Sequence, residues 1–139
     1  MVGTFICNSE DETRLLAEKF ASELVPGNVV LLSGNLGAGK TFFVRAVCNI
    51  FNIPEISSPS FSIINLYSGK YEITHVDFYR IKDIEELFPI GFYDYLIDDS
   101  IKFIEWADMF PEIFTSGYYL INLINKNNDS REITIKYYE

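Results

Sequence analysis

Gly34-Asn35-Leu36-Gly37-Ala38-Gly39-Lys40-Thr41 satisfies the pattern G-x-x-x-x-G-K-[ST]. It follows the apolar run Val29-Val30-Leu31-Leu32 and opens a stretch with helical spacing. Strand, glycine-rich loop and helix, in that order, are the setting of a phosphate-binding loop. The glycines let successive backbone N–H groups curl around an anion. Lys40 supplies a point charge to β- and γ-phosphates, and the Thr41 hydroxyl can hold Mg2+ at the helix N-terminus. The alternative is a chance glycine-rich turn, and four fixed positions framed by a strand and a helix argue against it.

Outward from this loop the chain alternates strand and helix patterns. Thr4-Phe5-Ile6-Cys7 reads as a short strand. Asn8 or Ser9 can cap a helix whose apolar positions Leu15, Leu16, Phe20 and Leu24 recur at helical spacing before Pro26-Gly27. Phe42, Phe43, Ala46, Val47 and Ile50 form a core-facing stripe on the helix after the loop. Residues 62–66 and 72–79 read as strands joined at Ser68-Gly69-Lys70, followed by a short helix over 84–87 and a buried strand over 101–105. Residues 118–124 and 132–138 alternate as a last hairpin turning at Asn127-Asn128-Asp129. The expected fold is a single α/β domain over 1–139, a three-layer P-loop NTPase with a mixed, mostly parallel central sheet and helices on both faces.

Composition narrows the function classes. With 139 residues, 48% hydrophobic and 16% aromatic, the chain can bury a substantial core. No apolar run approaches the roughly 18 residues of a membrane span, and the N-terminus has neither the basic region nor the apolar stretch of a signal peptide. A cytoplasmic protein with no membrane partner is expected. Cys7 and Cys48 lack C-x-x-C spacing and read as reduced, buried thiols. A net charge of −9 disfavours unaided binding of a nucleic-acid backbone, which depends on clustered Lys and Arg. Proteins and a Mg-nucleotide are the expected partners.

Three further segments can carry chemistry. In Ile73-Thr74-His75-Val76-Asp77-Phe78-Tyr79-Arg80, strand alternation puts His75, Asp77 and Tyr79 on one face and Val76, Phe78 and Arg80 on the other. Such a face can be merely solvated, but beside a phosphate-binding loop an acid at a strand's carboxyl end is where a Mg2+ partner belongs. Glu105 closes the run Ile101-Lys102-Phe103-Ile104 and should emerge at the same sheet edge, where it can hold Mg2+ or orient an attacking water. The neighbouring Trp106 reads as core more than as a base-stacking surface. Ser57-Ser58-Pro59-Ser60-Phe61 lies where many P-loop enzymes place a γ-phosphate sensor, although taken alone it is only a turn.

The ordered set GNLGAGKT, SPSF, HVDFYR, EEL followed by Gly91, and IEW resembles the bacterial TsaE (YjeE) family, the small ATPase of tRNA N6-threonylcarbamoyladenosine synthesis. The resemblance runs from the region of Glu10 to Arg131. It implies an ATP- and Mg2+-dependent ATPase that associates with the TsaB–TsaD complex, with carbamoyl transfer to adenosine 37 of tRNA occurring on TsaD, so that tRNA is met only indirectly. By matched position, Gly34, Asn35, Leu36, Gly37, Ala38, Gly39, Lys40 and Thr41 would wrap the phosphates. Thr41 and Glu105 would ligate Mg2+, and Asp77 would act in the metal and water shell. Lys40, Asp77 and Glu105 form the implied catalytic set, and Glu10 and Ser130 match positions that contact the nucleotide. Asn35 stands where Asp is usual, Ala46 where Gly is common and Ala107 where Pro commonly follows the Trp. None of these removes a phosphate or metal ligand.

A GTPase would carry N-K-x-D, and Asn125-Lys126-Asn127-Asn128-Asp129 is one residue too long, which reads as a turn and speaks against guanine; that the base is adenine is what the resemblance implies. Two rival functions remain at this level. A small-molecule kinase needs extra cations and a lid, and the chain has only Arg14, Arg45, Arg80 and Arg131 with little sequence left for a lid. A nucleotide-gated binding module would use ATP only as a conformational signal, without productive hydrolysis. Alternation places Arg80 opposite Asp77, so the chain is expected to lack its own cation on the transferring phosphate and to be weakly active alone.

Overall fold

The computed structural model describes residues 1–35, 37–56, 62–127 and 130–139. One seven-stranded sheet organises them: β1 (Gly3–Cys7), β2 (Val29–Ser33), β3 (Ile64–Ser68), β4 (Glu72–Asp77), β5 (Ile101–Glu105), β6 (Tyr118–Asn125) and β7 (Arg131–Tyr138), in the order β1-β7-β6-β2-β5-β4-β3. β2 lies between β5 and β6 and runs parallel to both, and β5 is parallel to β4. The two outer regions are antiparallel, β3 against β4 on one side and β6–β7–β1 on the other. The sheet is mixed and mostly parallel, since only β3 and β7 run against the other strands.

Strand alternation divides the core between two faces. On one, Val30, Leu32, Ile101 and Phe103 meet helices α1 (Glu10–Ala21) and α2 (Lys40–Ile50) through Phe20, Phe43 and Val47. On the other, Leu31, Val76 and Ile104 pack with Phe78, Leu87 and Phe114 and with Phe92 from α3 (Phe92–Ile97). The three-layer expectation thus has its physical basis in central strands that are apolar on both sides.

Several sequence expectations shift in detail. The N-cap of α1 is Ser9, whose hydroxyl accepts from the Glu12 N–H. The helix buries Thr13, Leu16, Ala17, Phe20 and Ala21, while Leu15 is exposed. In α2 the core face is Phe43, Val44, Ala46, Val47 and Cys48, with Ile50 exposed. The displaced positions lie at the margins of each apolar stripe, where the neighbouring element decides what is covered. The strand expected over 72–79 stops at Asp77, and α3 has no counterpart among the sequence expectations. Both cysteines are free and buried, and burial pushes the Cys48 thiol up to about 12. Among the described residues no helix is long and apolar enough to cross a membrane.

Phe78 is fully buried against Phe92, Phe110 and Phe114. Phe78→Ala should therefore cost about 3–5 kcal/mol in urea unfolding, whereas Ser9→Ala, which only removes a cap, should cost about 1 kcal/mol. Comparable small losses in both would show that the second face contributes little.

Candidate functional site

β2 is buried along its centre and ends at Ser33, so the chain leaves the sheet at its carboxyl edge and enters the glycine-rich loop. The loop is wedged against β6. A Cβ on Gly34, whose φ is 144°, would sit 2.6 Å from the Leu123 carbonyl oxygen, so only glycine fits there. The loop's outward carbonyls are held by the last hairpin. Asn125 donates its side-chain N–H to the Gly37 carbonyl at 3.3 Å, and Arg131 donates Nε–H to the Ala38 carbonyl at 2.9 Å. With these carbonyls held, loop N–H groups other than that of Ala38, which donates to the Asn35 carbonyl at 3.0 Å, can turn inward, the geometry of an anion nest.

Lys40, the first residue of α2, is 5% exposed. Its ammonium folds back onto the loop, donating to the Gly34 carbonyl and, at 3.3 Å, to that of Asn35. It also lies 4.2 Å from the centre of the Trp106 ring. Burial lowers the Lys40 pKa, and the nearby carboxylates of Glu105, Asp77 and Asp108 oppose that shift. Trp106 takes a left-handed backbone, φ 60°, and contacts Tyr79 at 5.0 Å between ring centres. It is half-buried against the second core, so the core expectation holds for one side of the ring while the other serves Lys40.

The acids converge through sheet register. Asp77 and Glu105 are directly opposed on the parallel strands β4 and β5. Glu105 is almost wholly buried, accepts from the Thr41 hydroxyl at 3.4 Å, and has its Oε2 2.6 Å from His75 Nε2. Asp77 is partly buried, which raises its pKa, while the Tyr79 backbone N–H, donating to it at 2.8 Å, pulls the other way. Lys40, Thr41, Asp77 and Glu105 line a cavity of about 360 Å3 together with Gly37, Gly39, Phe42, Tyr79, Arg80 and Trp106. A hydroxyl and two carboxylates form a hard-oxygen donor set, the kind that suits Mg2+.

The profile described as threonylcarbamoyl adenosine biosynthesis protein TsaE matches residues 7–133. The chain belongs to the TsaE family. It is 39% identical over 132 residues to the tRNA threonylcarbamoyladenosine biosynthesis protein TsaE of Rickettsia typhi, covering 93% of this chain and 91% of that one. Its identity to the Bacillus subtilis protein of the same name is 34% over 126 residues, with coverage of 89% and 78%. The crystal structure of Bacillus subtilis YdiB superposes with a TM-score of 0.81 at 28% identity, covering all of this chain and 88% of that one. The fold is that of a P-loop NTPase, and the family is one of tRNA threonylcarbamoyladenosine biosynthesis.

Within this family member, the cavity gathers six of the twelve site residues that the sequence singled out: Gly37, Gly39, Lys40, Thr41, Asp77 and Glu105. Ala38 is buried behind the loop and Gly34 packs against β6, so both shape the nest from outside the cavity lining. Asn35 contributes its carbonyl to Lys40 and to the Ala38 N–H. Leu36 and Ser57 to Phe61 lie outside the described residues, as do Asn128 and Asp129 of the expected last turn. Glu10 begins α1 and is exposed, and Ser130 hydrogen-bonds Asn8 at 3.2 Å beside it. Both sit at the β1–β7 edge next to Arg131, and neither lines the cavity.

Arg80 is a correction. Alternation put it opposite Asp77, yet β4 ends at Asp77, the next residues form a turn, and Arg80 lines the same cavity. Strand alternation has no force beyond the strand's last residue. His75 is likewise on no solvated face. It is completely buried, and the signal that exposes this is the parallel neighbour, because a strand covered on both sides must partner its polar side chains.

Burial acts on Asp77 by disfavouring its charge. A carboxyl whose folded pKa is raised lowers stability as pH rises. The penalty is absent below the ordinary carboxyl value of about 3.9 and complete above the raised folded value. Asp77→Asn should therefore raise the urea midpoint of the nucleotide-free protein at pH 7 and leave it unchanged near pH 3. A lower midpoint at neutral pH would show that the Tyr79 bond outweighs burial.

Proposed function

We propose that this chain is the ATP-binding and hydrolysing subunit of the bacterial machinery that makes N6-threonylcarbamoyladenosine at position 37 of tRNA, acting with TsaB–TsaD and weakly active alone. The observation that carries the reading is the opposition of Asp77 and Glu105 beside Thr41, at the foot of the phosphate-binding loop. The loop from Gly34 to Thr41 cradles the phosphates through backbone N–H groups. Lys40 exchanges its carbonyl contacts for the β- and γ-phosphate oxygens. Thr41, Glu105 and Asp77 would hold Mg2+, which supplies charge neutralisation on those oxygens. Either acid, through a water in that shell, would orient the attacking water. Glu10 and Ser130, at the edge beside the loop, are assigned to the nucleotide's outer contacts.

Partner dependence follows from Arg80. It is exposed, and among the described residues it makes no hydrogen bond or ion pair. An unrestrained guanidinium gives little stabilisation to a transferring phosphate, whereas a positioned one is worth about 10³–10⁵ in rate. A protein docking at the cavity mouth can order Arg80 or add its own cation. The acidic balance of −9 suits docking on a protein surface more than on tRNA.

Lys40→Ala should weaken ATP binding about tenfold by calorimetry, the low end of a charge-assisted contact of about 1.5–3 kcal/mol. The low end applies because the ammonium gives up its bonds to the Gly34 and Asn35 carbonyls. Unchanged affinity would remove the phosphate role of the loop. Steady-state release of phosphate by the isolated chain should be slow and should rise when TsaB–TsaD and tRNA are added. Fast turnover indifferent to those additions would overturn partner dependence, and single-turnover assays returning intact ATP would favour a nucleotide-gated binding module instead.

A further inference from the structure

Among the described residues, one buried side-chain polar atom lacks a hydrogen-bond partner: Nδ1 of His75. The other ring nitrogen, Nε2, is 2.6 Å from Glu105 Oε2, the oxygen that also receives the Thr41 hydroxyl. A carboxylate only accepts, so the shared proton belongs to Nε2. Nδ1, with no acceptor among the described residues, carries a lone pair, because a buried N–H left without an acceptor costs the full desolvation of that group. The imidazole is held on its strand by the opposed Phe103 and by the Tyr67 ring at 6.3 Å. Glu105 Oε1 makes no hydrogen bond among the described residues, and the side chain lines the cavity.

We propose that His75 is a positioning residue for Glu105: its Nε2–H commits Oε2 inward and turns Oε1 to the cavity, where a metal ion and water would be met. The proposal rests on the assignment of Glu105 as a Mg2+ ligand above. A glutamate side chain has three rotatable bonds, and this one stands within the field of the Lys40 ammonium. Without an anchor it would be free to turn toward that cation. Anchoring one oxygen from behind preorganises the other, as partners behind metal ligands commonly do. The geometry also explains why a fully buried strand position carries a histidine rather than an aliphatic residue.

His75 is the only histidine in the 139 residues, so its ring signals need no assignment. In the isotope-labelled wild-type chain, free of nucleotide and metal, long-range proton–nitrogen correlation should show the proton on Nε2 and a lone pair on Nδ1. A proton on Nδ1, or the averaged pattern of a freely exchanging imidazole, overturns the proposal. The second arm follows Mg2+ titration of a bound fluorescent ATP analogue in wild type, His75→Leu, His75→Gln and Glu105→Gln. The Leu variant should raise the Mg2+ midpoint about tenfold or more, and the Gln variant, whose amide donor can take the place of Nε2–H, should stay close to wild type. An unmoved midpoint in His75→Leu with a shifted one in Glu105→Gln overturns the role of His75. An unmoved midpoint in Glu105→Gln overturns the metal assignment beneath it. If His75→Leu does not fold, the wild-type tautomer and the Gln variant decide, and a Gln midpoint displaced as far as that of Glu105→Gln overturns the proposal.

Discussion

Burial of the central strands on both faces is the constraint from which the site descends. β2, β4 and β5 have apolar neighbours above and below, so a polar side chain within them survives only with a partner. Each one inside the sheet has found it. Thr74 meets the Ser100 hydroxyl at 2.8 Å, and Lys102 reaches the Asp98 carbonyl and carboxylate at the sheet's amino edge. His75 meets Glu105. Polar side chains that reach the cavity are left to the strand ends, and at the carboxyl edge Asp77 and Glu105 close β4 and β5, while Ser33, which closes β2, donates its hydroxyl to Asn122 Oδ1 at 2.8 Å. Parallel pairing then does the assembly. Because β5 lies beside both β2 and β4, the acid that ends it stands between the loop and the second acid.

The loop is stabilised against its own charge in the same way. Lys40 is almost removed from water, and its ammonium is served by two carbonyls of the loop that it belongs to and by the face of Trp106. An arriving phosphate therefore competes with internal contacts rather than with bulk water. Trp106 holds its ring there from a left-handed backbone, a conformation that costs a non-glycine residue about 1–2 kcal/mol. Packing against Tyr79 and the second core over-determines it. The two faces of the sheet thus both reach the cavity: α2 supplies Lys40 and Thr41 from one side, and the turn after β5 supplies Trp106 from the other. The β6–β7 hairpin completes the frame by taking the Gly37 and Ala38 carbonyls, with Asn125 and Arg131 opposed across it.

The strands and the phosphate-binding loop were legible because their signals are local. Five successive buried residues, 101–105, have a strand's length and composition, and GNLGAGKT states its own backbone requirements. The edges of amphipathic stripes were less so. Leu15 has the hydrophobicity of a core residue and lies outside, while Thr13 lies inside with its hydroxyl on the Ser9 carbonyl at 3.3 Å. Which margin of a helix is covered depends on how α1 sits against α2 and the sheet, and periodicity carries no information about that. Arg80 was misplaced because alternation was carried past Asp77, where the strand stops.

What the sequence by itself determined was the menu: an anion-binding loop between strand and helix, two acids at strand ends, an α/β layering, and membership of a family through motifs in order. What only the tertiary structure decided was who meets whom. Asp77 and Glu105 are 28 positions apart and become direct neighbours only because β4 and β5 pair in parallel with one register. A slip of one strand by one residue would leave the two acids on opposite faces of the sheet. His75 and Glu105, 30 positions apart, are joined by the same register, and Arg80 by the turn that follows it. Local chemistry is written in single residues, whereas register is set by the simultaneous burial of two faces, a condition that no single segment of the chain contains.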